Sequence, residues 1–85
     1  MADYSEDYPV GSIVRIVNAE RLEEFRRTWR FHNKLTSAQL AYADRVARVD
    51  RVGYYHGGDV LYHLEGVPGI WHEGCLGPAD SSNQL

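Results

Sequence analysis

The chain has 85 residues, 44% of them hydrophobic and 12% aromatic, and a net charge of −3. That length supports one small domain with a modest core, since a chain of this size buries only about 60–65% of its unfolded surface. The apolar content argues against disorder, the single Cys rules out an internal disulfide, and no run approaches the roughly 20 apolar residues of a membrane-spanning helix.

In chain order, the acidic opening "MADYSEDYPV" has no apolar run, so residues 1–9 are expected to form a flexible tail and not a signal peptide. With one Cys, a reducing, cytoplasmic setting is the matching expectation. Pro9-Val10-Gly11 closes the tail, and "SIVRIV" (12–17) follows as a strand with apolar residues on both faces, a pattern of well-covered strands. The period then changes. Leu22, Phe25 and Trp29 fall on one face of a helix. Asn18 suits its N-cap, and Glu20, Glu23 and Glu24 sit toward the favourable end of its dipole. Phe31 leaves the stripe, so the helix should fray before it.

"LTSAQL" reads as a capping box, with Thr36 as cap, Gln39 at the third helical position, and Leu35 and Leu40 spaced as a hydrophobic staple. A short helix from Ser37 to about Tyr42 or Ala43 follows. "RVARVDRVGYY" (45–55) reads as a strand bulged near Asp50 and Arg51, with a helix extended to Val49 as the competing reading. "HGGD" between aromatic, β-branched runs signals a hairpin, and Val60, Tyr62 and Leu64 alternate with Leu61, His63 and Glu65. "GVPG" (66–69) is a second turn, "IWHE" starts a third strand, and "GCLGP" leads into a disordered tail over 79–85.

This order gives a mainly β fold, a small partly open SH3-like barrel with a helical insertion over about residues 19–43 after the first strand. Three stretches, "YPVGSIVRI", "ADRVARVDRV" and "VLYHLEGVPGIWHEGCL", resemble the SH3-like barrels of electron-transport accessory proteins and nitrile hydratase β subunits. Tyr62, Leu64, Trp71, Glu73 and Leu76 fit the ending of that pattern, and the likeness covers about half of the chain. It implies one SH3-like domain over residues 10–78 that serves as a subunit or docking module beside a larger catalytic partner. The chain departs from the pattern at "FHNKLTSAQLAYAD", where nitrile hydratase β subunits carry a His-Thr-Arg stretch, so no Arg role is carried over.

Chemistry-bearing residues crowd "YYHGGDVLYHLEGVPGIWHEGC" (54–75). His56, Asp59, His63, His72, Glu73 and Cys75 are of the types that bind Zn²⁺, and His72 with Cys75 forms a His-x-x-Cys pair. A second pair with ligand spacing is missing, and strand geometry separates His56 from His63. The bland readings therefore lead: His63 and Glu65 as a wet cross-strand pair, Asp59 bonding turn amides, and Cys75 as a small buried hydrophobe. The expectation is no metal and no cofactor, with His56, Asp59, His72 and Cys75 as the residual candidates. All nine Lys and Arg lie between Arg15 and Arg51, against five acidic residues there. That surplus can mark an anionic partner, but interleaved Glu and the lack of a nucleic-acid motif favour a solvated helix face.

The aromatic residues carry the functional expectation. Trp29, Phe31, Tyr54, Tyr55, Tyr62 and Trp71 exceed what so small a core would readily bury, and aromatics are common interface anchors. The expected function is a non-enzymatic binding or accessory-subunit module that docks on a protein partner, or on a second copy of itself, through these rings and the insertion. The alternatives are a β-type subunit of a nitrile-hydratase-like metalloenzyme whose metal lies in the partner, and a small metal-binding protein using His72 and Cys75. Catalysis by the chain alone is left open, and the residues lean against it: a catalytic Cys75 would need a placed base such as His72, and no third group to orient that base is evident.

Overall fold

The computed structural model describes residues 8–55 and 59–79. The turn residues His56 to Gly58, most of the expected N-terminal tail and all but the first residue of the C-terminal one lie outside the described residues. The described chain is mainly β. Its elements are β1 (Ile13–Ile16), α1 (Ala19–Thr28), α2 (Ser37–Leu40), β2 (Val46–Tyr54), β3 (Val60–Leu64), β4 (Val67–His72), a 3-10 turn (Glu73–Cys75) and β5 (Leu76–Pro78). The strands form one open antiparallel sheet in the order β4-β3-β2-β1-β5.

The core runs along one face of that sheet. Val14, Ile16, Val49, Tyr62, Leu64 and Trp71 are buried there, together with Leu22 from α1 and Cys75 from the 3-10 turn. β1 alternates more regularly than its sequence suggests. Val14 and Ile16 point inward while Ile13 is exposed, and the strand is covered at its two edges, by β2 and β5. β2 is long, and its register with β3 shifts between Val49 and Arg51. This is the expected bulge, which bends the strand so that its first half pairs with β1 and its second with β3. The strand reading of residues 46–54 holds, and the helical alternative does not.

The C-terminal third departs from expectation in two places. "GVPG" is not the turn: only Glu65 and Gly66 link Leu64 to Val67, with Gly66 at φ +72°, and Pro68 and Gly69 belong to β4. Pro68 is tolerated because β4 is an edge strand, where a missing N–H breaks no ladder. "GCLGP" is not a turn into a tail either. Cys75 ends the 3-10 turn and Leu76–Pro78 form β5, pairing with β1 at Ile16↔Leu76 and Val14↔Pro78. No periodic signal marks a strand of three residues. At the other end, Tyr8 packs its ring 5.7 Å from that of Tyr62.

The insertion leaves and returns at one point. Ile16 N–H donates to the Arg45 carbonyl (2.8 Å) and Asp44 N–H to the Ile16 carbonyl (3.0 Å), with Asp44 at φ +66°, a conformation that Asp tolerates better than most residues. α1 is capped by the Asn18 side chain, which accepts from Arg21 N–H (2.9 Å), and ends at Thr28, before Phe31, as the broken stripe predicts. α2 spans only Ser37–Leu40, shorter than expected, and the chain turns through 41–44.

The capping box of α2 is complete, and its Gln39 does more than cap. Gln39 is 2% exposed. Its Oε1 accepts from Thr36 N–H (2.9 Å), and its Nε2 donates to the Ile70 carbonyl in the outer edge of β4 (3.0 Å). Gly69, at φ +93°, makes the approach possible: a Cβ there would lie 2.6 Å from Gln39 Nε2. A buried amide and a missing side chain thus tie the insertion to an otherwise open sheet edge, covering backbone that would invite pairing. Gln39→Ala is expected to cost about 2–3 kcal/mol, through the lost cap and an unsatisfied Ile70 carbonyl. Gly69→Ala should destabilise as well, through strain at positive φ and the clash with Gln39. Urea denaturation checks both; losses within about 0.5 kcal/mol, the range of ordinary surface changes, would mean that apolar contacts alone hold the insertion.

Candidate functional site

The stretch after α1 crosses the end of the sheet where β2 gives way to β3. Asn33 sits there at φ +51°, and two histidines meet around it. His72, the last residue of β4, is 5% exposed, and its Nε2–H donates to the Asn33 carbonyl (2.8 Å). His32 faces oxygens with both ring nitrogens, Nδ1 toward Asn33 Oδ1 (2.9 Å) and Nε2 toward Asp59 Oδ2 (2.8 Å). The ring of His32 stacks on Tyr55 at 3.6 Å and 13°, so the insertion is clamped to both sides of the β2–β3 turn.

The environments push the two rings in opposite directions. The bonds to Asn33 and then to Asp59 favour the doubly protonated ring and raise the pKa of His32 above its ordinary value. Burial lowers that of His72; the Asn33 carbonyl opposes this, while the neighbouring His32 charge adds to it. Burial thus disfavours the charged form of His72, a structural donor, while the Asn33 and Asp59 oxygens favour it at His32.

Aromatic rings continue from these histidines. Trp29 stacks on Phe25 (5.2 Å, 14°), leans on His72 (4.7 Å, 52°), and meets Phe31 edge-on (5.2 Å, 78°). Its indole Nε1–H donates to the His32 carbonyl (2.7 Å), fixing the backbone that carries His32. Beside this stack lies a cleft of about 280 Å³, lined by Phe25, Trp29 and His72, by the acidic residues Asp59 and Glu73, and by Val60 and Gly74. Glu73 is held by the buried Tyr62 hydroxyl, which donates to its Oε2 (2.8 Å).

The six aromatic candidates divide. Trp29, Phe31 and Tyr55 come together through His32, with Phe31 68% and Tyr55 42% exposed. Tyr54 is exposed on the adjoining end of β2. Tyr62 and Trp71 are no part of any surface: both are fully buried at the centre of the core. The β3 alternation places Tyr62 inward, and the Trp71 indole is satisfied by the Pro68 carbonyl (3.2 Å). Both rings belong to the one buried cluster that Leu22 and Leu35 of the insertion also join.

The metal candidates do not assemble. Among the described residues no three His, Cys, Asp or Glu side chains converge as a metal would need. Cys75 is buried and free, and burial pushes its thiol up to about 12, which makes it an inert core residue. Asp59 bonds His32, and His56 lies outside the described residues. Glu65 faces Arg48 (3.7 Å) rather than His63, which lies opposite Arg51.

His32, Phe25 and Asn33 were missed by sequence reasoning as site residues. Phe25 lies in the helix stripe, which signals core; "FHN" follows the end of the helix, where no periodicity constrains orientation. Only the pairing with Asp59, across 27 positions, identifies His32. No protein-family model, no curated protein and no solved structure matches the chain.

The histidine pair gives a signed expectation. His32 contributes stability that is fully present below its unfolded pKa of about 6.5 and is lost as pH rises through its higher folded value. His72, held low, contributes stability present above about 6.5 that is lost as pH falls through its folded value. Carbon-detected histidine NMR should show one ring titrating above 6.5 and one below, and Asp59→Asn should bring the His32 midpoint down. Two unshifted midpoints would contradict the geometry.

Proposed function

We propose that the chain is a small SH3-like docking module, without catalysis of its own, that engages a protein partner across the insertion and the β2–β3 turn. The strand order, the long insertion between β1 and β2, and the 3-10 turn between β4 and β5 support the barrel reading. The observation that carries the docking reading is the contiguous path Phe31–Trp29–His32–Tyr55. Two of its rings are substantially exposed, and the others are locked by hydrogen bonds and stacking. Rigid aromatic anchors lose little entropy on association, which is why they dominate interface energetics. A tryptophan supported from beneath and a phenylalanine left 68% exposed have the character of such anchors, because a monomer gains nothing by exposing them.

The resemblance carried by "VLYHLEGVPGIWHEGCL" favours a partner larger than this chain, with any catalytic metal residing in that partner. Native mass spectrometry of the protein purified gently from its source is expected to show a stoichiometric complex. Phe31→Ser with Tyr55→Ser should abolish it while changing stability by no more than about 1 kcal/mol, as exposed sites usually allow. Ile13→Ser, an exposed apolar control on β1, should leave it intact. A partner that survives the double substitution and is lost with Ile13→Ser would place the interface elsewhere, and a complex of two identical chains would identify the partner as a second copy.

A further inference from the structure

The nine Lys and Arg between Arg15 and Arg51 are divided unequally by the fold. On α1, Arg21, Arg26 and Arg27 are interleaved with Glu20, Glu23 and Glu24, and Arg26 pairs with Glu23 (2.8 Å). The helix is balanced, as a solvated face would be. The sheet is not. Val14 and Ile16 are buried in the core, so Ile13 and Arg15, at the alternate positions of β1, lie on the other face. Their cross-strand neighbours Arg48 and Val46 share that face. Arg51 does too, since it lies opposite His63, between the buried Tyr62 and Leu64 of β3.

This face is open. Ile13 and Val46 are 46% and 43% exposed, Arg48 and Arg51 are exposed, and Arg15 is half-buried. Gly77 stands opposite Arg15 on β5 and places no side chain over it. No Asp or Glu occurs in β1, β3 or β5, and β2 contributes only Asp50, at the bulge. Opposing charge is slight. Arg15 Nη1 donates to the backbone carbonyl of Asp44 (3.3 Å), which carries no full charge. Arg48 meets Glu65 at 3.7 Å, with both side chains more than half exposed, and exposed pairs of this kind contribute little. Arg51 has no ion pair among the described residues.

The pattern on the face has a definite spacing. Along β1 and again along β2, an aliphatic side chain is followed two positions later by Arg, a separation of about 7 Å. An extended chain presents every second side chain at that same separation. Guanidinium groups take carboxylates in planar, two-pronged pairs, which suits Arg better than Lys to such a surface. A nucleic-acid strand fits less well: none of the five side chains is aromatic, as base stacking would require, and the net charge of −3 opposes a long polyanion.

We infer that the outer face of β1 and β2 is a second docking surface, which takes an extended protein segment carrying acidic and aliphatic residues at alternate positions of one side, with carboxylates on Arg15, Arg48 and Arg51 and an aliphatic group against Ile13 and Val46. It stands apart from the aromatic path of Phe31 and Tyr55, and its occupant is a different molecule from the partner assigned to that path.

The test is an ¹⁵N NMR titration of the full chain with four probes: acetyl-Glu-Ser-Val-Ser-Glu-amide, its Gln-Ser-Val-Ser-Gln and Glu-Ser-Ser-Ser-Glu counterparts, and oligothymidylate. The first should shift the amides of Ile13, Arg15, Val46 and Arg48 and bind about tenfold tighter than the Gln peptide, as several exposed charge pairs allow. Replacing its Val by Ser should weaken it about threefold, by the loss of part of one buried aliphatic side chain. Arg15→Gln with Arg51→Gln should remove most of the preference for Glu over Gln. Arg27→Gln on α1, and Phe31→Ser with Tyr55→Ser, should leave it unchanged. An unmoved Trp71 indole signal checks that each variant is folded. Equal binding of the Glu and Gln peptides, no loss on replacing Val, no shifts on β1 and β2, or tighter binding of oligothymidylate than of the first peptide would overturn the inference. So would a preference that survives the double Arg substitution. The docking reading is judged separately, because a native complex lost with Phe31→Ser and Tyr55→Ser but kept with Ile13→Ser reports on the aromatic path alone.

Discussion

The buried amide of Gln39 joins two parts of the chain that are far apart in sequence. One end of it completes the cap of α2, and the other donates to the Ile70 carbonyl on the free edge of β4, in the space left by Gly69. A sheet of five strands with an open edge is a poor platform for a 29-residue excursion (17–45) between β1 and β2 if that excursion is tethered only at its base. With Gln39 in place, the insertion returns to the core, to which it contributes Leu22 and Leu35. It also brings Asn33 within reach of His72 at the end of the same strand.

The site depends on those two ties. Trp29 can stack on Phe25 and His72 only if the segment after α1 is held against β4, and its indole then sets the His32 backbone. His32 in turn reaches across to Asp59 and Tyr55 on the β2–β3 turn. A structural hydrogen bond in the edge strand is thereby converted into the position of an exposed aromatic surface and of the cleft beside it. The burial of His72 serves the same end, since it disfavours charge on a ring that lies beside His32.

Local chemistry made much of the fold legible. The Asn18 cap, the Thr36–Gln39 box and the bulge near Asp50 each involve residues within a few positions of one another, and each is where the sequence places it. β5 was not legible, because three residues show no period and their pairing with β1 is set by the whole chain. Nor was the division of the aromatics. Tyr62 and Trp71 are inside, in the one cluster that Leu22 and Leu35 of the insertion also join, whereas Phe31 lies just beyond a helix end that no stripe reaches. The clustered His, Asp, Glu and Cys types of residues 54–75 suggested a metal site, while their actual partners, Asn33, His32 and Tyr62, were supplied by long-range contacts.

The central claim is that insertion and sheet form one cooperative unit. Native-state hydrogen exchange tests it most directly, by comparing the Trp29 indole and the amides of Trp29 and Gln39 with those of β3. If the ties act as described, the insertion protons open with free energies within about 1 kcal/mol of the β3 amides. Insertion protons exchanging orders of magnitude faster while β3 stays protected would show that the insertion moves by itself and that the site has no fixed geometry.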